Sequence, residues 1–371
     1  MLARLAATAT AAAALALPVA VAVPAAAQPV TPGTVTATRP LPPEHLIPGS
    51  ASGTAISYRT LGPHDRPALS TGAVFVPSGE PPPGGWPVIS WAHGAVGIAD
   101  SCAPTVSGRI GGPYLGRWLS QGYAIVATDY VGLGTDGLHP YLDGRSEAHA
   151  VIDMVRAARA VEPSLSDRWI TLGQSQGGLA AMVAATLAET HAPELDYRGT
   201  IALGVPSNIE NLAALGGPLF PPLPLEGTTV FIAYALAGLR ATDPGVDVDS
   251  YLSDRGKAVL TQVEELCYAE AADTIGSTSI GELFSRQVDE PLLRELREML
   301  AVPVRGYDRP LFVGQGLFDT IVPSPLTFKL VADLALAGQK FTFRTYPQGH
   351  LETMLASEPE ANEFARKVLT R

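Results

Sequence analysis

The sequence predicts an α/β fold in which a mostly parallel central sheet is flanked by helices. Short apolar runs alternate along the chain with helical patterns, and each run is bounded by Gly, Pro or Asp. Residues 208–307 break this alternation without adding a convincing strand. Hydrophobic residues make up 46% of the 371 residues and charged residues 16%, so the chain can bury a large core.

The predicted strands are short and rich in Val, Ile, Phe or Ala. They are Ala73–Val76, Val88–Ala92, Ala124–Asp129, Ile170–Gly173, Thr200–Val205, Pro310–Gly314 and Phe341–Tyr346. Helices are predicted where apolar residues recur at a helical spacing, as Val151, Met154 and Ala158 do. They are Glu147–Val161, Gly178–Thr190, Pro325–Ala337 and Pro359–Thr370.

The N-terminus has the pattern of a secretory signal peptide over residues 1–27. Arg4 supplies a positive charge, Leu5–Val23 supplies an apolar run, and alanines at 25–27 supply a small-residue cleavage site. A membrane anchor is the alternative, because the apolar run approaches the length that spans a bilayer. We therefore expect a secreted protein, cleaved near Ala27 and without a stable membrane anchor.

The rest of the chain divides into a lead-in, a core and an insertion. Residues 28–50 are predicted as an extended lead-in, and 51–207 with 308–371 as the α/β core. The insertion, 208–307, has helical patterns at Val230–Leu239, Arg255–Ala272 and Leu292–Met299. Long segments of this kind are usually functional, so we predict a helical cap over the active edge of the sheet. A helical elaboration packed elsewhere on the sheet is the alternative.

A G-x-S-x-G motif marks the candidate nucleophile. Gly173-Gln174-Ser175-Gln176-Gly177 follows an apolar strand pattern and precedes a helical one, which is the context of the nucleophile turn in α/β-hydrolases. Glycines are needed there because a side chain two residues from the serine would collide with neighbouring backbone. A serine in a merely structural turn is the alternative interpretation.

A serine nucleophile needs a general base, and chain order selects His350 from the seven histidines. His350 follows the last predicted strand, where this fold places its base, with a structural histidine as the alternative. The acid is expected after the preceding strand, and Asp319 lies there. A helix-capping aspartate is the alternative interpretation of Asp319.

Two backbone N–H groups are candidates for an oxyanion hole. Gln176 begins the helix after the nucleophile, and Ala95 follows the strand that runs into His93 and Gly94. Within the insertion, Leu219 and Phe220 are candidates for contact with an acyl chain, and ordinary packing residues are the alternative.

Charge and cysteine content exclude several classes of protein. A net charge of −11 argues against nucleic acid and anionic membrane surfaces as partners, so an uncharged small-molecule or lipid substrate fits best. No Cys/His spacing resembles a zinc site, and we expect neither a metal nor a cofactor. The two cysteines, Cys102 and Cys267, are either bridged, as an oxidising compartment favours, or two buried free thiols.

Several segments resemble the bacterial branch of the secretory lipases, the family that includes the yeast lipase A type. They are Trp91-Ala92-His93-Gly94, Ala99-Asp100-Ser101-Cys102-Ala103-Pro104, and Asp129-Tyr130-Val131-Gly132-Leu133-Gly134-Thr135 with its continuation to Ser146-Glu147. The nucleophile, acid and base segments match in the same order, so the resemblance covers nearly all of the mature chain. It implies an α/β-hydrolase fold with a helical cap, and hydrolysis of acylglycerols or simpler carboxylic esters.

The resemblance also implies roles for individual residues. By position, the triad would be Ser175, Asp319 and His350, and the family's disulfide would correspond to Cys102–Cys267. Tyr130 would lie beside the substrate, although its segment is also typical of a simple Gly-rich turn. One departure is that only 21 residues follow His350, whereas fungal members carry a longer C-terminal segment over the acyl site.

The expected function is hydrolysis of carboxylic esters by a secreted triacylglycerol lipase or carboxylesterase, through an acyl-enzyme on Ser175. An acyltransferase would use the same triad, and a serine peptidase or a non-catalytic binding protein are further alternatives on this fold. We expect a monomer that acts on a small-molecule or lipid ester and contacts a lipid interface only transiently.

Overall fold

One nine-stranded sheet organises the described part of the chain. The computed structural model describes residues 31–221 and 227–370, so the predicted signal peptide, 1–27, lies outside the described residues. The strands are β1 Val35–Pro40, β2 Ser50–Leu61, β3 Pro67–Pro77, β4 Trp86–Ala92, β5 Ala124–Val131, β6 Leu165–Gln174, β7 Asp196–Leu203, β8 Leu311–Gly316 and β9 Phe341–Tyr346.

The sheet is antiparallel at one end and parallel through the rest. Its order is β1-β2-β3-β5-β4-β6-β7-β8-β9. β1, β2, β3 and β5 pair antiparallel in succession, and every neighbouring pair from β5 and β4 onwards is parallel. The carboxyl ends of β4, β6, β7, β8 and β9 therefore meet at one edge, which is where ligands bind in open α/β sheets.

Helices cover both faces of the sheet and fill the insertion. The α-helices are α1 Pro104–Ser107, α2 Gly112–Leu119, α3 Gly144–Val161, α4 Gln176–His191, α5 Thr228–Thr242, α6 Asp254–Val263, α7 Tyr268–Ile275, α8 Ile280–Leu283, α9 Glu290–Leu300, α10 Ser324–Leu336, α11 Glu352–Ala356 and α12 Glu358–Leu369. Short 3₁₀ helices lie at Pro43–His45, Pro63–Asp65, Asp100–Cys102, Ile209–Asn211, Ala213–Leu215 and Val248–Tyr251. In the ranges described, none of the helices combines the length and apolar character needed to cross a bilayer.

Alternate residues of the central strands point into two apolar layers. Val88 and Val126 belong to the layer that contains α3 and α4, whereas Ile89 and Ile125 belong to the layer that contains α2 and α12. This alternation is the period of two of a β-strand, and apolar packing on both faces explains why β4 and β5 are buried along almost their whole length. The two close-packed layers hold the strand ends, and the side chains that follow them, in fixed positions.

The predicted α/β class, the seven core strands and the four core helices are confirmed. The sequence analysis does not predict β1 and β2, which extend the sheet by two antiparallel strands. β1 is exposed over almost its whole length, so it lacks the apolar run that marks a core strand. The described part of the lead-in, 31–50, thus contributes an edge strand to the sheet.

The single helix predicted over Arg255–Ala272 is wrong. The structure has two helices there, α6 and α7, and the chain between them is extended at Cys267. Cys267 forms an isolated β-bridge with Gly97, and the N–H of Tyr268 donates to the carbonyl of Val96 at 2.9 Å. These long-range contacts override a local helical pattern that is continuous in the sequence.

A disulfide joins the core to the insertion. Cys102 lies just after β4, Cys267 precedes α7, and the two are bonded across a sequence separation of 165 residues. Cys102 is buried, with 2% of its surface exposed, and Cys267 is half-buried. The prediction that the cysteines are bridged is therefore confirmed.

We predict that replacing both cysteines by serine lowers the free energy of unfolding by about 2–5 kcal/mol, because the long closed loop restricts the unfolded chain. Urea unfolding of the oxidised protein and of the C102S/C267S variant measures the difference. Dithiothreitol should destabilise the unmodified protein and leave the variant unchanged. Equal stability of the two proteins would contradict the prediction.

Candidate active site

Ser175 lies in a sharp turn between β6 and α4, at the carboxyl edge of the sheet. Its backbone has φ 57° and ψ −124°, an unusual conformation for a residue with a side chain. The N–H of Ser175 donates to the carbonyl of Leu203 in the neighbouring strand β7 at 2.9 Å, which holds the turn in place. Backbone strain of this kind persists only where the surroundings enforce it, and it is typical of functional sites.

The glycines on either side of Ser175 are required by the close approach of backbone atoms. A Cβ on Gly173 would lie 1.9 Å from the carbonyl oxygen of Gly177. A Cβ on Gly177 would lie 1.9 Å from the carbonyl oxygen of Ala92, at the end of β4. The steric reason that the sequence analysis assigns to these glycines is confirmed.

His350 and Asp319 meet at the same edge of the sheet. His350 follows β9, Asp319 follows β8, and His350 Nδ1 lies 2.6 Å from Asp319 Oδ2. Both residues are buried, at 7% and 6% exposure. In this arrangement the carboxylate accepts the Nδ1 hydrogen, which leaves Nε2 as the basic nitrogen of the ring.

Asp319 also caps a turn, as the alternative interpretation of this residue expects. Its Oδ1 accepts the N–H groups of Ile321 at 2.9 Å and Val322 at 2.7 Å. The side-chain amide of Gln315 donates to Oδ2 at 3.2 Å. One carboxylate oxygen therefore fixes the loop while the other faces His350. Asp319 can cap the turn and hydrogen-bond to His350 at the same time.

The ring of His350 lies over the backbone beside the nucleophile turn. A Cβ on Gly204 would be 3.0 Å from His350 Cε1, and Gly204 directly follows the residue that accepts the Ser175 N–H. Nε2 of His350 is buried and has no hydrogen-bond partner among the described residues. The hydroxyl of Ser175 is thus not hydrogen-bonded to this nitrogen, although catalytic hydrogen bonds are often formed only when substrate is bound.

The two candidate oxyanion donors flank Ser175. Gln176 is the first residue of α4, so its N–H has no acceptor within the helix. Ala95 lies in the loop after β4, and a Cβ on the preceding Gly94 would be 3.5 Å from Ser175 Cβ. Among the described residues, the N–H of Ala95 has no hydrogen-bond partner. Both N–H groups are free to bind a ligand oxygen.

An apolar cavity of about 230 Å³ opens beside Ser175. Its wall on the side of the sheet comprises Tyr141, Leu142, Ser175, Pro206, Ile321 and Val322. The opposite wall comes from the insertion, including Ile209, Phe220, Phe231, Phe284, Leu296 and Leu300. No charged side chain lines it among the described residues. The helices of the insertion therefore face the nucleophile across an uncharged cavity.

The three predicted substrate contacts have different surroundings. Phe220 lines the cavity, whereas Leu219 is 93% exposed and is not part of the described wall. Tyr130 is fully buried and also lies outside the described wall, so a direct contact with substrate is not supported. Its hydroxyl instead donates to the carbonyl of His93 at 3.0 Å, which braces the loop that carries Ala95.

The sequence analysis does not identify two buried residues next to the nucleophile as site residues. His139 and Glu147 are 0% and 1% exposed, and both contact the side chain of Gln176. Burial lowers the pKa of His139 to about 3 and raises the pKa of Glu147 well above its usual value. Burial therefore disfavours the charged form of both side chains. Their position in the segment that carries the family resemblance is the signal that could have identified them.

A second cleft and the titratable side chains elsewhere in the described residues do not add to this site. A larger cleft of about 780 Å³ lies at the opposite edge of the sheet, near Pro310 and Phe341, and contains none of the candidate catalytic residues. In the described ranges, no group of three or more His, Cys, Asp or Glu side chains is arranged to hold a metal ion.

Comparison with known proteins identifies relatives over most of the chain. Residues 100–367 match the family model described as secretory lipase. A protein named "Probable inactive lipase" from Mycobacterium tuberculosis is 27% identical over 81% of this chain and 67% of its own length. Lipase A of Moesziomyces aphidis is 25% identical over 85% of this chain and 71% of its own length.

A solved structure has the same fold. The rice cell wall degrading esterase LipA of Xanthomonas oryzae superposes with a TM-score of 0.74 at 19% identity, over 92% of this chain and 99% of that one. The α/β-hydrolase fold expected from the motif is confirmed.

We predict that Gly177→Ala abolishes detectable esterase activity and lowers the melting temperature, because the new Cβ would collide with the carbonyl of Ala92. Gly338→Ala is the matched control, since nothing lies within 4 Å of a Cβ at that position. Gly338 has a positive φ of 75°, whereas Gly177 lies inside α4, so the control variant carries backbone strain but no steric collision. Activity of the Gly177 variant within a few-fold of the control would contradict the steric requirement.

Proposed function

The chain belongs to the secretory lipase family and is a carboxylic ester hydrolase, and from this premise we propose that it acts through an acyl-enzyme on Ser175. The contact between His350 and Asp319, at the edge of the sheet where Ser175 turns into α4, carries the proposal. A serine, an imidazole and a carboxylate in this chain order are the parts that nucleophilic acyl transfer requires.

In the first step, the oxygen of Ser175 attacks the ester carbonyl while His350 Nε2 accepts the hydroxyl proton. The carboxylate of Asp319 stabilises the imidazolium that forms. The N–H groups of Gln176 and Ala95 donate to the oxyanion of the tetrahedral intermediate. The ester C–O bond then breaks, and the imidazolium gives its proton to the leaving alcohol.

In the second step, water replaces the alcohol. His350 removes a proton from the water, which attacks the acyl carbonyl, and the bond to Ser175 Oγ breaks as the serine recovers its proton. The carboxylic acid leaves and the free enzyme is restored. Because the donors are backbone groups in fixed elements, they need little reorganisation at either step.

The cavity defines the proposed acyl site. Its walls carry no charged side chain among the described residues, so an uncharged hydrocarbon chain fits and a charged one would lose its hydration without compensation. We therefore propose esters with an apolar acyl chain as substrates, with Phe220 in contact with that chain.

Secretion belongs to the same proposal. The family is a secretory one, and the apolar N-terminal segment followed by small residues supplies the export signal. We propose cleavage near Ala27, which the intact mass of the protein recovered from culture medium tests directly.

A non-catalytic role, in which the protein keeps the fold but does not hydrolyse esters, is the second candidate function. Two observations favour it: one relative is named as a probable inactive lipase, and His350 Nε2 has no hydrogen-bond partner among the described residues. Reaction with an active-site-directed fluorophosphonate separates the two functions, because only an activated serine is phosphonylated at a useful rate.

We predict that a fluorophosphonate labels Ser175 and that Ser175→Ala abolishes labelling and lowers kcat on p-nitrophenyl butyrate by a factor on the order of 10⁶. Peptide mapping by mass spectrometry locates the label, and stopped assays measure the rate. Ser120→Ala, at an exposed position, should retain full activity. Failure of the unmodified protein to react would favour the non-catalytic function.

We predict that Ala235→Phe, in the wall of the cavity, shortens the acyl chain that the enzyme accepts. The ratio of kcat/KM for p-nitrophenyl octanoate to that for p-nitrophenyl butyrate should fall at least about tenfold. The reason is that the new phenyl ring would occupy space that the longer acyl chain needs. Ala335→Phe, exposed on α10, is the size-matched control and should leave the ratio unchanged. An unchanged ratio in the Ala235 variant would place the acyl chain elsewhere.

A further inference from the structure

The side chain of Gln176 is anchored below the nucleophile by two buried residues. Gln176 is 1% exposed, and its Nε2 lies 2.7 Å from His139 Nε2 and 2.7 Å from Glu147 Oε1. His139 precedes α3 and Glu147 lies in its first turn, so these contacts join α3 to the first residue of α4. The backbone N–H of the same residue, Gln176, is a proposed oxyanion donor.

The acceptors determine which hydrogens lie in this network. His139 Nδ1 lies 2.8 Å from the carbonyl oxygen of Val131, which can only accept, so the ring hydrogen is on Nδ1. Nε2 of the neutral ring is then an acceptor, and the Gln176 amide donates one hydrogen to it. The second amide hydrogen goes to Glu147 Oε1. Both donors of the Gln176 amide are thus satisfied.

Glu147 Oε1 accepts a second hydrogen bond, from the N–H of Leu142 at 2.9 Å. Leu142 lines the acyl cavity and has a φ of 63°, a conformation that needs support from its surroundings. One carboxyl oxygen therefore joins the residue of the proposed oxyanion hole to a wall of the proposed acyl site.

Among the residues that the structure describes, Glu147 has no charged partner that would favour its ionised form. Its Oε2 is buried and has no hydrogen-bond partner among the described residues. His139, whose Nε2 is 3.7 Å from Oε1, is neutral because burial lowers its pKa to about 3. A buried carboxylate without a cation is destabilised, so burial raises the pKa of the Glu147 carboxyl group well above its usual value.

We propose that Glu147 is a positioning residue, whose buried carboxyl oxygen Oε1 holds the oxyanion donor and the wall of the acyl site in one geometry. The inference rests on the proposed function, because it assigns Glu147 an effect through Gln176 and Leu142. A small shift of a backbone N–H affects the oxyanion more than the ground-state ester, so loss of Glu147 should lower kcat more than it raises KM.

Two substitutions at position 147 test the role of the acceptor oxygen. Glu147→Leu removes the acceptor, and we expect kcat on p-nitrophenyl butyrate to fall about 10- to 100-fold, with KM changed less than about threefold. Glu147→Gln keeps a neutral acceptor of the same shape, so it should recover kcat to within about threefold of the unmodified enzyme. A merely structural role does not predict this rescue together with an unchanged KM.

Asp153→Asn is the matched control for damage to α3. Asp153 is a buried carboxylate on the same helix, with Thr60, Arg156 and His191 as partners rather than Gln176. We expect this variant to lose stability and to keep kcat below its melting temperature. If it loses kcat as strongly as Glu147→Leu, the effect belongs to the helix and the proposal is overturned.

Gln176→Leu removes the hydrogen bond between Gln176 and Glu147 by changing the donor instead of the acceptor. This variant tests the same contact if Glu147→Leu does not fold. If the two residues act through one contact, the double variant should be no slower than the slower single variant. Any of three results would overturn the proposal. The losses of kcat could be additive, the Glu147→Leu variant could have a normal kcat, or the Glu147→Gln variant could be as slow as the Glu147→Leu variant. Fluorophosphonate labelling of Ser175 in the unmodified enzyme is measured separately. Failure of the proposed function is therefore distinguishable from failure of the proposal for Glu147.

Discussion

The close approach of α4 to the end of β4 is the constraint on which the site depends. A Cβ on Gly177 would lie 1.9 Å from the carbonyl oxygen of Ala92, so no other residue allows the helix to begin there. That approach forces the strained turn at Ser175. It also brings the N-terminus of α4 beside the loop that carries Ala95. The nucleophile and both candidate oxyanion donors therefore result from one steric requirement between two backbone segments.

The insertion completes the site from the other side. Its helices supply most of the apolar wall beside Ser175, and the disulfide ties α7 to the segment that follows β4. An apolar wall lowers the local dielectric constant, which strengthens the interaction of Asp319 with a protonated His350. Next to the nucleophile turn, the buried side chains of Glu147 and His139 stabilise the geometry by hydrogen bonds to Gln176.

The fold was predictable where a segment is apolar and internal, and less so elsewhere. Strands at the centre of the sheet, such as β4 and β5, have apolar runs because they are buried on both faces. β1 is an exposed edge strand held by pairing with β2, and edge pairing has no apolar signal in the sequence. The helix expected over Arg255–Ala272 divides in two because Cys267 is held by partners more than 160 residues away.

The identities of Ser175, Asp319 and His350 as candidates follow from the sequence, because chain order, strand ends and glycine sterics are local properties. Burial and protonation are not local. Tyr130 is buried and braces the loop after β4, Leu219 is exposed to solvent, and burial raises the pKa of Glu147, each because of residues distant in the chain. Only the tertiary structure decides these features, since the desolvation and hydrogen bonding of a side chain depend on everything packed around it.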